Sequence, residues 1–348
     1  MKKNITYILY VFALAGLAAC SDDSAQVMPA EGDGTLTISY TIPGSKVQSR
    51  AGEVTSSEAE SKVARMDLIY FASDVHSNGA FVAHQAVTGT AYDLRKNTFT
   101  VAPPAEVQEA SAYQVLIIAN LDKYMNSNTI ADYCSKTFTS HNQAWNELCA
   151  ASLTNSGGEY TYPSELLMSG TAVKPAGKNE LSFELLRAAV RIEVKTANNN
   201  ITLQSAELHN LPSTVPFFRT GEVGSESTLH VAETPSSNMV QLYTFENILD
   251  VTDPLARINR ATCLLLQVEK TSSGYGTNKW YRVDLNIVND MQQLKRNHVY
   301  TVTLADVTAA GAASKEEAYN SASFLPGTIT IKEFAQGGIY NMGEFEYQ

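Results

Sequence analysis

Histidine, cysteine, serine and lysine are the side chains with which this chain could do chemistry, and their spacing limits what is available. The six histidines (His76, His84, His141, His209, His230, His298) are scattered, with no paired spacing that would set two imidazoles on one metal ion. Gly170 to Lys178 has the outline of a phosphate loop, but Gly170 and Gly177 are too far apart. Asn179 also stands where serine or threonine is needed. No Gly-x-Ser-x-Gly elbow presents a serine nucleophile. Cys134, Cys149 and Cys263 are an odd set that cannot complete a disulfide framework. A Cys134 to Cys149 bridge stays open in an oxidising compartment, and no cysteine spacing suggests zinc. The sequence therefore assigns no catalytic residue, no metal and no cofactor, and predicts a protein that is not an enzyme.

The fourth cysteine has a different context. Lys2 and Lys3 precede an apolar run from Ile5 to Gly16, and small residues lead into Leu17-Ala18-Ala19-Cys20. That is the pattern of an export signal, too short for a retained membrane helix. Its ending resembles the bacterial lipobox, which implies removal of residues 1–19 and lipidation of Cys20 in the outer membrane. Ser21-Asp22-Asp23-Ser24 resembles the acidic tag of lipoproteins sent to the outer face of that membrane. The second chemically distinct residue is Arg50, the one arginine in a small, polar stretch from Ser45 to Ser61 that reads as an exposed loop open to proteolysis. Lys46 and Arg65 are rival sites for a protease with basic specificity.

Bulk properties bound the partners. The formal charge is -11 over 348 residues, with no basic stripe to neutralise phosphates, so nucleic acid is excluded. Residues 1–50 hold Lys2, Lys3, Lys46 and Arg50 against Asp22, Asp23, Glu31 and Asp33, so the acidic surface belongs to the rest of the chain. Abundant Thr, Ser, Asn, Tyr and Val fit secreted β-structure, and the length suits two domains.

Cys20 and Arg50 bracket one strand. Thr35 to Ile42 alternates strictly, placing Leu36, Ile38, Tyr40 and Ile42 on one face, and Pro43-Gly44 stops it. Further strands are predicted at Val63–Phe71, Phe81–Val87, Thr98–Val101 and Tyr113–Ala119, the last nearly all apolar and so covered on both faces. A helix follows Ser140, with Trp145, Leu148 and Cys149 at helical spacing. Past the Pro175-Ala176-Gly177 turn the pattern restarts at Leu181–Leu186, Ala188–Val194, Ile201–Leu208, Val240–Phe245, Cys263–Val268, Trp280–Ile287 and Val299–Leu304. It ends with Thr328–Ile331 and Ile339–Tyr347. Many short strands with turns between them predict an all-β protein of two tandem β-sandwich domains with short helical insertions, divided near residue 180 into 51–180 and 181–348.

Several segments, in this order, resemble the fimbrillins or type V pilins of Bacteroidales-type bacteria. They are the Cys20 lipobox, the strand before Arg50, Val115-Leu116-Ile117-Ile118-Ala119-Asn120, the Leu167-Met168-Ser169-Gly170 turn and Leu185-Leu186-Arg187-Ala188-Ala189-Val190-Arg191-Ile192. Tyr243-Thr244-Phe245-Glu246-Asn247 and Arg296-Asn297-His298-Val299-Tyr300-Thr301-Val302 complete the set. The resemblance implies two transthyretin-like sandwiches, export as a lipoprotein and cutting by an arginine-specific surface protease. It places that cut between Arg50 and Ala51 and leaves residues 20–50 as a lipidated propeptide. It also implies assembly with copies of itself and related subunits into a cell-surface fimbrium.

The energetics make such processing consequential. If buried, Leu36, Ile38, Tyr40 and Ile42 would contribute roughly 6–12 kcal/mol together, which rivals the 5–15 kcal/mol or so of a whole domain. A cut at Arg50 would release a strand whose groove accepts another by main-chain pairing. The candidate donor is the C-terminal segment carrying Ile339, Tyr340, Met342, Phe345 and Tyr347, which also reads as the last strand of the second sandwich. Alternatives are a fimbrial tip adhesin meeting host or bacterial surface ligands, and a permanently lipid-anchored glycan-binding protein. The last would display aromatics such as Tyr275, Trp280 and Tyr281 on a rigid face.

Overall fold

The computed structural model describes residues 34–43, 59–73, 79–89, 97–125, 127–135, 138–151, 165–197, 199–212, 214–218, 230–235, 238–249, 260–270, 278–285, 293–307, 310–320, 327–333 and 336–341. Cys20, Arg50, Ala51, Tyr275, Met342, Phe345 and Tyr347 lie outside them.

In the first half the strands are β1 (Leu36–Thr41), β2 (Arg65–Ala72), β3 (Phe81–Thr88), β4 (Thr98–Val101) and β5 (Tyr113–Ala119). They continue with β6 (Cys149–Ala151), β7 (Met168–Lys174), β8 (Glu180–Glu184) and β9 (Leu186–Arg187). Five of them form a sheet in the order β3-β2-β5-β7-β9, and three form a second in the order β4-β1-β8. Between the two lies a core of Leu36, Ile38, Tyr40 and Ile42 against Met66, Leu68, Tyr70, Val115, Ile117, Leu181 and Phe183.

The apolar runs of β2 and β5 follow from their position. Their alternate residues Ile69, Phe71, Leu116 and Ile118 point to the opposite face. There they meet two helices, α1 (Ser127–Ser135) and α2 (His141–Glu147). Ile130 and Cys134 of α1 and Ala144 of α2 supply the contacts, together with Phe217 and Phe245 from later in the chain. A sheet covered on both faces needs no polar alternation. The start of α2 is fixed by Ser140, whose hydroxyl accepts from the Gln143 amide at 3.3 Å.

The second half contains β10 (Ala189–Thr196), β11 (Ile201–His209), β12 (Thr214–Pro216), β13 (His230–Glu233), β14 (Met239–Phe245) and β15 (Asn247–Ile248). It continues with β16 (Cys263–Lys270), β17 (Lys279–Asp284), β18 (Gln293–Leu294), β19 (His298–Leu304), β20 (Gly327–Glu333) and β21 (Gln336–Asn341). One sheet has the order β14-β10-β19-β20-β21 and the other β13-β11-β16-β17. Val190, Ile192, Val194, Leu208, Leu264, Leu266, Tyr300 and Val302 fill the space between them. The protein is all-β with short helical insertions, and residues 34–348 form one compact unit.

Several features were not anticipated by the sequence. Leu167 to Gly170 leads into strand β7 instead of making a turn, because a Cβ at Gly170 would meet the Glu184 carbonyl oxygen at 2.2 Å; the glycine marks a close backbone approach. β8 and β9 pair with first-half strands, so the first pair of sheets runs past residue 180 to Arg187. The polar stretch after Thr308 contains a helix, Lys315–Asn320, whose Ala318 packs on Leu265. Cys134 is a free, buried thiol, so it makes no bridge to Cys149. No helix among the described residues is long and apolar enough to cross a membrane.

Candidate functional site

β1 is the middle strand of its sheet. It runs antiparallel to β4, pairing Leu36 with Val101 and Ile38 with Phe99. It runs parallel to β8, pairing Ile38 with Leu181 and Tyr40 with Phe183. Both of its edges are therefore hydrogen-bonded, and the ladders extend beyond the strands. The Thr37 amide donates to the Asn179 carbonyl, the Tyr40 amide to that of Asn97 and the Leu185 amide to that of Thr41, each at 2.9 Å.

The side chains follow the alternation read from the sequence. Leu36 and Ile38 are fully buried, and Tyr40 and Ile42 nearly so. Tyr40 stacks on Phe183 with centroids 6.1 Å apart and meets Phe99 edge-on at 6.5 Å. β1 thus seals the first core, and its covalent link to the strands after it runs through residues 44–58. A cut in that stretch would leave β1 held by its two ladders and its apolar face without a covalent link to those strands.

The residues flanking that stretch on either side are held by Arg187 of β9 and by residues of the second half. Arg187 is fully buried. Its Nη1 donates to the Pro43 carbonyl at 2.7 Å and to Asn297 Oδ1 at 3.1 Å. Its Nε donates to the Glu60 carbonyl at 2.9 Å and its Nη2 to Ser61 Oγ at 3.1 Å. Burial pulls the guanidinium down to about 10, so it stays charged at neutral pH.

The Glu60 carboxylate, 2% exposed, accepts two bonds from Arg191 Nη1 at 2.9 and 2.8 Å and one from the Tyr243 hydroxyl at 3.1 Å. Burial and the Glu60 charge together push the Tyr243 phenol well above its ordinary range. The sequence reading placed Glu60 in an exposed loop. It sits instead in a 3-10 turn, Ala59–Ser61, held by this network. Asn120, with φ 63°, adds a further brace: its Nδ2 donates to the Lys62 and Leu166 carbonyls, and its Oδ1 accepts from the Ala64 amide, all at 2.8 Å.

No family model matches the chain, and no curated protein matches it in sequence. Solved structures do match. A candidate cell adhesion protein from Bacteroides eggerthii is similar with a TM-score of 0.55 at 16% identity, over 86% of this chain and 96% of that one. The tip fimbrial protein Mfa3 from Porphyromonas gingivalis is similar at 0.50 and 13%, over 79% and 94%. A fimbrial assembly protein from Parabacteroides distasonis is similar at 0.50 and 12%, over 88% and 98%. The chain has the fold of Bacteroidales fimbrial proteins.

Within this fimbrial fold one cluster resembles a site for chemistry that the sequence did not suggest. Ligand atoms of Asp67, His84 and Cys134 lie within 4.8 Å of one another. The Asp67 carboxylate is already taken, by Arg65 Nε and Nη2 at 2.8 and 2.7 Å and by His84 Nε2 at 2.9 Å. Burial alone would raise the Asp67 carboxyl, but these hydrogen bonds and charges hold it below the usual carboxylate range. Burial pushes the Cys134 thiol far up, which disfavours the thiolate that a nucleophile needs. A guanidinium beside the carboxylate also repels a cation. The cluster is a charge-compensated buried group beneath α1.

Aromatics offered as a glycan platform are placed unfavourably. Tyr281 is fully buried in the second core. Trp280 packs on Leu265, Ala312 and Ala318, with the Lys315 ammonium 5.9 Å from its ring centroid. Ile339 and Tyr340 lie in β21, which among the described residues is the edge strand of its sheet and pairs with β20.

Proposed function

We propose that the chain is a structural subunit of a cell-surface fimbrium, polymerised through the groove that β1 occupies. In this reading the protein is exported as a lipoprotein anchored in the outer membrane through Cys20. An arginine-specific surface protease then cuts it between Arg50 and Ala51. Release of β1 opens a groove that takes a strand from another subunit. The observation that carries the reading is the position of β1: central in its sheet, apolar-faced and paired on both sides, with the stretch that carries Arg50 between it and the next strand.

The groove left between β4 and β8 would expose two rows of backbone donors and acceptors beside apolar pockets, a combination that binds extended chains by strand addition. The candidate donor remains the C-terminal segment. Its described part, β21, is paired on one side only, so leaving its sheet breaks a single ladder. The processed subunit would comprise two domains, and the pairing of β8 and β9 favours moving the joint from residue 180 to between Arg187 and Ala189. A tip position, with adhesion to host or bacterial surface ligands, is the second reading. It is favoured by likeness to a tip fimbrial protein.

N-terminal analysis of the protein from cells tests the reading. The expected result is a lipidated Cys20 precursor alongside a fibre population beginning at Ala51. A lipidated Cys20 form alone would overturn it. Truncation after Gly338 is expected to block assembly while leaving the folded body, and unchanged fibres would move the donor elsewhere.

A further inference from the structure

The apolar face of β1 repeats every two residues, and so do the pockets that receive it. A strand entering such a groove could slip by two residues and still bury most of its side chains, because pleat and ladder are preserved by that step. The Tyr40 site between Phe99 and Phe183 resists such a slip, and a backbone contact at the end of the groove adds to it. At the end of the groove the Pro43 carbonyl, one residue past the fourth apolar side chain Ile42, is bound by the buried Arg187 guanidinium at 2.7 Å. The contact is short and charge-assisted, and the same nitrogen is fixed by Asn297 Oδ1. Arg187 cannot swing to another acceptor, since its Nε and Nη2 are held by Glu60 and Ser61.

Resting on the removable-strand reading above, we propose that Arg187 is the terminal anchor of the β1 groove. It binds a backbone carbonyl of whichever strand fills the groove and thereby sets that strand's register. Loss of β1 takes the Pro43 carbonyl from a buried cation, and a desolvated guanidinium deprived of an acceptor is costly. The occupant in the assembled fibre, a strand from a second copy, restores that acceptor. It must run parallel to β8 and place a carbonyl one residue beyond its last buried side chain. Arg187 is a specificity-determining residue of this site, and Glu60, Ser61 and Asn297 supply its rigid frame.

The test uses the full chain cut at Arg50 and three amidated synthetic peptides: residues 34–43, residues 34–42, and residues 34–43 with Pro43→Gly. Each competes for the groove, and displacement of the N-terminal fragment is read by native mass spectrometry. The 34–43 and Pro43→Gly peptides should compete equally, because both carry the carbonyl. The 34–42 peptide should need roughly 10- to 100-fold more, the loss expected for one hydrogen bond to a charged group. In Arg187→Gln the difference between the long and short peptides should shrink. If that variant does not fold, the three-peptide comparison on the unaltered chain still decides. Equal competition by 34–42 and 34–43, or a Pro43→Gly peptide as weak as 34–42, overturns the anchor while leaving the removable strand intact. If the fragment never leaves and no peptide exchanges, the removable strand and the anchor fall together.

Discussion

Tyr40→Ala is the sharpest probe of whether β1 belongs to the core. The ring is 4% exposed, stacked on Phe183 and edge-on to Phe99. Truncating a buried aromatic to alanine costs about 3–5 kcal/mol, from lost transfer energy and the void left behind. Thr41, the next residue, is exposed, so Thr41→Ala should change stability by no more than about 0.5 kcal/mol. With a denaturant slope near 2 kcal/mol per molar, Tyr40→Ala should lower the urea midpoint of the uncut chain by about 2 M. Thr41→Ala should leave it almost in place. A cycle with Phe183→Ala should be non-additive, with a coupling of about 0.5–3 kcal/mol for residues in contact. Equal midpoints for Tyr40→Ala and Thr41→Ala would refute the account, because β1 would then be a surface strand whose loss opens no groove.

Three further outcomes follow from the buried charges and thiols. Glu60→Gln removes the more buried of the two carboxylates on Arg191, leaving Glu193 at 2.9 Å, and should cost about 1.5–3 kcal/mol in urea unfolding, whereas Glu60→Gln with Arg191→Met should recover part of that loss. Asp67 is held below its ordinary carboxylate range, so its contribution is complete above that range and is lost as pH falls through the lowered value. The acid limb of a stability profile should therefore flatten in Asp67→Asn, and an unchanged limb would deny Asp67 that role. Burial raises the Cys263 thiol to about 12 from 9.0 and Cys134 further. An acid whose folded value is raised stays neutral while the unfolded chain ionises, so stability should decline as pH rises above 9.0. Both thiols should resist iodoacetamide until urea unfolds the chain, and rapid labelling of the native protein would contradict their burial.

Legibility followed the range of the interactions. The alternation of Leu36, Ile38, Tyr40 and Ile42 and the continuous run of β5 depend on which faces are covered, a local pattern that a sequence displays. The Ser140 cap is likewise local. Pairing is not: nothing near β1 in sequence says that β4 and β8 flank it, since the Ser39 and Thr98 hydroxyls that meet at 3.2 Å are 59 residues apart. Gly170 misled because a glycine in a strand and a glycine in a turn look alike until the Glu184 carbonyl is seen against it. Helix α1 went unread because its buried Ile130 and Cys134 are a single i, i+4 pair in a polar run, too short to show a period. Arg187 and Arg191 were visible as the opening of the second half, yet their acceptors lie up to 144 residues away.

The placement of those acceptors bears on how a subunit could survive losing a strand. Pro43 lies before Arg50, whereas Glu60, Ser61 and Asn297 lie after it. A cut at Arg50 with loss of β1 would take one carbonyl from Arg187 and leave its bonds to the body in place. The Glu60 carboxylate would likewise keep Arg191 and Tyr243. The Ala59–Ser61 turn would thus stay fastened to β10 and β14, and β2, which follows it, would remain in register with β3 and β5. The energetic loss would then fall on the apolar groove and on one charge-assisted bond at its end, both of which an incoming strand can restore. Were Glu60 on the far side of the cut, the same processing would take from Arg191 the more buried of its two carboxylates, leaving Glu193, and would loosen the second half as well. A cut at Arg50, between Pro43 and Glu60, would confine the damage to the proposed groove.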